Sequence, residues 1–172
     1  MPLVRSFFIL ALIAFGASSF SQTTQCKCCD QNHKQFNFWM GEWKVYDPSG
    51  KFLGENSIQV MQDSCLLQEN WTSATSGYRG TSYNFYNQKT KKWQQLWIDN
   101  QGSHLELEGE FSNDKMTLQS KEIVNATGQK QVDRITWTCS NDGQVRQIWD
   151  RSLNGGTSWE TVFDGIYKKQ QP

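Results

Sequence analysis

Two carboxylates in this chain stand where they could do acid–base chemistry. Side chains alternate across a β-strand, so Leu67, Glu69 and Trp71 share one face of one strand, and Trp93, Gln95, Trp97 and Asp99 share one face of another. A carboxyl buried among indoles, or close to a second carboxylate, has its pKa raised toward the range of a general base. Glu69 or Asp99 would fill that role. The same residues also describe a binding site, with Trp71 and Trp97 stacking on a small molecule while Glu69, Gln95 and Asp99 orient it. A plainer arrangement is open as well: Glu69, Gln95, Asp99 and Arg151 sit at strand ends, or pair with one another beneath the tryptophans.

A second chemical cluster is Cys26-Lys27-Cys28-Cys29 with His33 close behind. Three thiolates and an imidazole could complete a zinc tetrahedron, and a thiol beside a histidine could be a nucleophile. Neither is the expectation. No second Cys-x-x-Cys or His pair lies downstream, and cysteines in an exported chain favour disulfides. The chain has five cysteines, so at least one stays unpaired within a monomer. No metal and no cofactor are expected. Gly-x-Ser-x-Gly, a Gly-rich phosphate loop and His-Glu-x-x-His are all missing, and His33 and His104 are the only histidines.

Export is read from the first residues. Arg5, the apolar run Phe7 to Phe15, and the small residues Ser19 and Ser21 have the order of a cleaved signal peptide, residues 1–21, with Gln22 as the mature start. The run is shorter than the ~20 residues that span a bilayer. The expected location is therefore secreted or periplasmic, without stable membrane insertion. Of 17 basic and 17 acidic residues only Arg5 is lost, which leaves a net charge of about −1. Such neutrality implies neither nucleic acid nor an anionic membrane as partner. Residues 22–172 suit a single domain. Eight Trp, ten Phe and five Tyr are many aromatics for a chain this polar, and some of them are expected to line an interior cavity. Oligomeric state is not legible.

A short helix is expected over residues 31–40, with Asp30 or Asn32 as N-cap. Beyond it come about ten strands: 42–46, 57–62, 66–72, 81–86, 93–98, 105–111, 116–123, 132–139, 145–151 and 161–167. Asp47-Pro48-Ser49-Gly50, Asn141-Asp142-Gly143 and Asn154-Gly155-Gly156 are strong turn signals between them. Links this short exclude parallel pairing, and an antiparallel meander of this length removes its edges by closing into a barrel. A two-sheet sandwich is the alternative. Ser152 to Trp159 resembles a single Asp-box, with Asn154 in place of the aspartate. One copy serves as a hairpin, with Trp159 packed beneath the turn.

Several segments resemble, in order, an exported bacterial family of unknown function with a lipocalin-like barrel. They are Phe36-Asn-Phe-Trp-Met-Gly-Glu-Trp43, Cys65-Leu-Leu-Gln-Glu-Asn-Trp71, Trp93-Gln-Gln-Leu-Trp-Ile-Asp99 and Val145-Arg-Gln-Ile-Trp149. The resemblance covers residues 29–167 and implies a fold and an export route but no assigned activity. It implies that Gly41 turns the chain into the first strand and that Trp43 plugs the closed end, with Arg146 or Arg151 over its ring. It also implies a disulfide from a cysteine before the aromatic cluster to Cys65. Three cysteines stand where the family has one, and Cys29 is taken as the partner. Haem barrels of the nitrobindin type are distant look-alikes, but their late axial histidine has no counterpart after His104. The expectation is a closed antiparallel barrel that binds a partly apolar small molecule. An enzyme with a carboxylate base and a filled barrel with a structural or interaction role are the alternatives.

Overall fold

In the computed structural model, which describes residues 26–170, the chain enters the fold through a capped turn. The Asp30 carboxylate accepts the backbone N–H of His33 at 3.0 Å, satisfying a donor that has no partner within the helix. Helix α1 runs only from Gln31 to Lys34, and a 3-10 turn, Asn37–Trp39, follows. The single helix expected over 31–40 is thus two short pieces, as suits a stretch crowded with aromatic side chains that pack sideways. The segment read as a signal peptide lies outside the described residues.

Eleven strands follow: β1 (Gly41–Tyr46), β2 (Phe52–Met61), β3 (Leu66–Ser73), β4 (Arg79–Asn87), β5 (Lys92–Asp99), β6 (His104–Ser112), β7 (Lys115–Gln119), β8 (Ile123–Val124), β9 (Lys130–Cys139), β10 (Val145–Ser152) and β11 (Glu160–Lys169). Ten of them form a closed antiparallel barrel in which β11 returns to β1, β7 pairs with β9, and β9 with β10. The strand expected over 116–123 is divided. Strand β7 ends at Gln119, and β8 is a two-residue pairing on the flank of β9. Turn chemistry sets the register. Asp47 accepts the backbone N–H groups of Ser49 and Lys51, both at 2.9 Å, while Gly50 takes the positive φ of 89° that the turn requires.

One end of the barrel is plugged. Phe36, Trp39, Trp43 and Trp137 are fully buried there, beside Trp93, Met116, Val145 and Tyr167. Phe36 stacks on Trp39 with ring centroids 4.9 Å apart, and Trp39 meets Trp137 at 5.3 Å. The Trp43 indole N–H donates to the Trp39 carbonyl at 2.8 Å, tying the first strand to the plug. The cation over Trp43 is Lys169, its Nζ 5.4 Å from the ring centroid. Arg146 and Arg151, expected in that place, are elsewhere: Arg146 points outward to Asp164 at 2.6 Å, and Arg151 stands at the opposite end. Arg146 has the outward parity of its strand and Arg151 the inward parity at the wrong height, whereas Lys169 lies directly opposite Trp43 in the β1–β11 register.

The disulfides are Cys26–Cys29 and Cys28–Cys65, with Cys139 free and exposed. The partner of Cys65 is therefore Cys28, not Cys29. Cys28 is the one cysteine of the trio turned inward, 6% exposed, with its Cα 4.9 Å from that of Cys65. Cys29 faces solvent and closes a local loop with Cys26. With all three sulfurs bonded, no thiolate remains there for zinc or for nucleophilic attack.

Candidate functional site

Above the plug, the barrel interior is polar. Asn56, Glu69, Ser82, Asn84, Gln95 and Gln147 come from five strands, and all are buried. The Asn84 and Gln95 side-chain amides donate to Ser82 Oγ at 2.8 and 3.3 Å, and Gln95 also donates to Asn84 Oδ1 at 2.7 Å. Ser82 in turn donates to Glu69 Oε2 at 2.6 Å. From the other side Asn56 Nδ2 donates to Glu69 Oε1 at 2.7 Å and to the Tyr167 hydroxyl at 3.3 Å, and Tyr167 donates to Gln147 Oε1. These donors converge on a single carboxyl, and no Arg or Lys bonds to it among the described residues. Burial therefore dominates and pushes Glu69 up to about 7, against the two hydrogen bonds that favour its ionised form. Burial, reinforced by the Glu69 charge, also drives the Tyr167 hydroxyl well above its usual value.

This polar floor carries an aromatic collar. Trp71, Tyr78, Trp97, Trp149 and Phe163 ring a small chamber of about 80 Å³ whose base includes Glu69, Gln95, Gln147 and Tyr167. Glycines make room for the rings. A Cβ on Gly54 would lie 2.8 Å from Trp71 Cη2, and one on Gly80 would collide with the Trp97 six-membered ring. Each indole thus packs its six-membered ring against a glycine of the neighbouring strand. Trp71 and Phe163 meet edge-on at 6.0 Å, and Tyr78 leans on Trp97 at 6.4 Å.

The chamber opens sideways as well as upward. Strand β7 reaches only as far as Glu108 on β6, so His104 to Leu107 pair with β5 alone. A cleft of about 940 Å³ lies along this gap, taking in Trp97 and Leu105 from the inner face and Glu106 and Glu108 from the outer one. On its far side Asp133, 2% exposed, accepts Trp149 Nε1 at 2.7 Å and Arg151 Nε at 2.8 Å. Arg151 also stands 5.3 Å over the Trp149 ring.

Of the residues singled out by strand parity, Glu69, Trp71, Gln95 and Trp97 line the one chamber. Asp99 stands apart at the rim. Its carboxylate accepts the backbone N–H groups of Gln101 and Ser103, and the Tyr78 hydroxyl at 3.1 Å. Partial burial works against ionisation there, yet those donors hold it below the usual carboxylate range. Asp99 does not raise Glu69, so burial takes the place of the like-charge pairing considered from the sequence. Trp159 packs under its hairpin, its indole N–H donating to Gly156 O at 3.1 Å, with Arg134 4.0 Å over the ring. Gly41, at φ 126°, turns the plug into β1.

Sequence reading did not select Asn56, Ser82, Asn84, Tyr78, Asp133 or Tyr167 as site residues. Parity places Ser82 and Asn84 on one face of β4, but an alternation of Ser and Asn looks the same on an outer surface. A scan of the chain against models of known protein families matches none of them, and a comparison with curated proteins finds no match.

Proposed function

We propose that this protein is a secreted or periplasmic, lipocalin-like barrel that binds a small, partly apolar molecule. The observation that carries the reading is the chamber: a collar of aromatic rings, two of them seated on glycines, above a hydrogen-bonded polar floor. Concave sites with apolar walls and a few converging polar groups are the general form of small-molecule sites. Trp71 and Trp97 would contact the ligand and Glu69 and Gln95 would orient it, with Asp99 at the entrance. The disulfides accord with an oxidising compartment, and no helix among the described residues is long and apolar enough to cross a membrane. The ordered motifs that resemble an exported lipocalin-like family support the same reading.

Native mass spectrometry of the purified mature protein, compared with its denatured mass, tests this proposal. A retained small molecule that Trp97→Ala loses is the expected result. A protein that is always empty, with tryptophan fluorescence unmoved by lipids and metabolites, would indicate a filled structural barrel. One observation favours a catalytic alternative: a carboxyl at about 7 on the chamber floor suits a general base. Conversion of a bound compound that stops in Glu69→Gln, while binding persists, would select that reading.

A further inference from the structure

The chamber combines a buried carboxyl without a cationic partner and a ring of aromatic faces. A buried carboxylate is costly unless a positive charge meets it. None does so among the described residues: Glu69 is 5% exposed, and its bonds come from neutral donors, Asn56 and Ser82. The faces of Trp, Tyr and Phe carry negative potential and attract cations, quaternary ammonium groups above all. Trp71, Tyr78, Trp97 and Phe163 supply four such rings around the same space, and its volume of about 80 Å³ suits a compact head group. Of the cations along the cleft, Arg151 has its charge met by Asp133 at 2.8 Å and Lys92 by Glu108 at 3.1 Å, while Lys121 lies near Glu108.

Resting on the reading of the barrel as a binding protein, we propose that its ligand is a small organic cation, an amine or quaternary ammonium compound. Its nitrogen sits between the ring faces of Trp71 and Trp97 and its charge is met by Glu69. A carboxylic acid or a phosphate ester would instead face an uncompensated carboxylate on the floor. Above about pH 7, where Glu69 is ionised, a neutral apolar ligand would leave that carboxylate without a counter-charge.

The pH dependence follows from what surrounds Glu69. The other titratable groups facing it are Tyr167 from β11 and Tyr78 from the loop before β4, and both are held above the ordinary tyrosine value, chiefly by burial. Both remain neutral hydroxyls from pH 5 to 9, which leaves Glu69 as the group whose ionisation switches on cation binding as pH rises through about 7.

Titration of the mature protein with tetramethylammonium and choline tests the proposal, followed by calorimetry and tryptophan fluorescence. The alcohol carrying a quaternary carbon in place of the choline nitrogen serves as the neutral control, and the matching carboxylate as the anionic one. Choline should bind at pH 8.5 about tenfold or more tightly than its carbon analogue, and less tightly at pH 5.5. Glu69→Gln should erase that preference while its melting temperature at pH 8.5 holds, and Trp97→Ala should weaken every probe. Equal binding of choline and its carbon analogue, or tighter binding of the carboxylate, would overturn the cation assignment and leave the barrel a binding protein. A different molecule retained in native mass spectra while no ammonium probe binds would do the same. A protein that binds no probe and retains nothing would overturn both readings.

Discussion

Ser82 gives its only hydroxyl proton to Glu69, at 2.6 Å, while its oxygen accepts the amides of Asn84 and Gln95. Cooperative chains of this kind polarise every member toward the last acceptor, and here that acceptor is a carboxyl closed off from solvent. The first prediction concerns its proton. Burial raises Glu69 to about 7 in the folded state from an ordinary value of 4.5. Between those pH values the folded chain holds a proton that the unfolded chain has released. Stability is therefore greatest below pH 4.5 as far as this group is concerned, falls as pH rises to about 7, and then levels off. The loss amounts to about 3 kcal/mol at most. Denaturant unfolding at pH 4.5, 6 and 8 should show this slope in wild type, and a much flatter profile in Glu69→Gln. Equal slopes would mean that Glu69 is ionised throughout.

Trp43 tests the plug. It is fully buried, bonded to the Trp39 carbonyl and covered by Lys169. Trp43→Ala should cost about 3–5 kcal/mol, the range for deleting a large buried aromatic. Trp43 packs 6.1 Å from Tyr167 beneath the floor but does not line the chamber, so any ligand affinity should fall chiefly through that instability. An unchanged melting temperature would contradict the plug.

The two disulfides should contribute unequally. Cys28–Cys65 spans 37 positions and Cys26–Cys29 only 3. On the loop-entropy model they stabilise by about 4 and about 2 kcal/mol. Peptide mapping without reduction should recover both pairs and find Cys139 alkylated. Cys28→Ser should lower the denaturation midpoint more than Cys26→Ser. Recovery of a Cys29–Cys65 peptide would rule out the pairing described here.

Gly80 is expected to be intolerant of even one methyl group. A Cβ there would meet the Trp97 ring and the Ile98 carbonyl oxygen, the latter at 2.8 Å, and backbone does not yield as a flexible side chain would. Gly80→Ala should cost about 1–3 kcal/mol by overpacking and shift the tryptophan emission as Trp97 is displaced. If Trp97 stacks on the ligand, the variant should lose affinity as well. An emission spectrum and stability identical to wild type would show that Trp97 does not rest on this glycine.

Local chemistry made much of the architecture legible in the chain itself. Alternation with period two set which residues of β3 and β5 face inward, whereas in β11 a bulge opposite Trp149 and Asp150 breaks the alternation and leaves Thr161 exposed. Asn, Asp and Gly at the turns forced antiparallel neighbours, and so many short links left closure as the way to remove the edges. Four of the chamber residues, Glu69, Trp71, Gln95 and Trp97, follow from parity alone. What parity cannot carry is height along the barrel. Asp99 shares a face with Gln95 but ends at the rim, where turn amides claim its carboxylate. Only the tertiary structure decided that Asn56, Ser82 and Gln147 lie level with Glu69, that Cys28 reaches Cys65, and that Lys169 covers Trp43. Gln147, Cys65 and Lys169 meet partners far away in the chain, and even the hairpin neighbours Asn56 and Ser82 depend on strand stagger around the closed barrel. No local pattern of residues encodes that quantity.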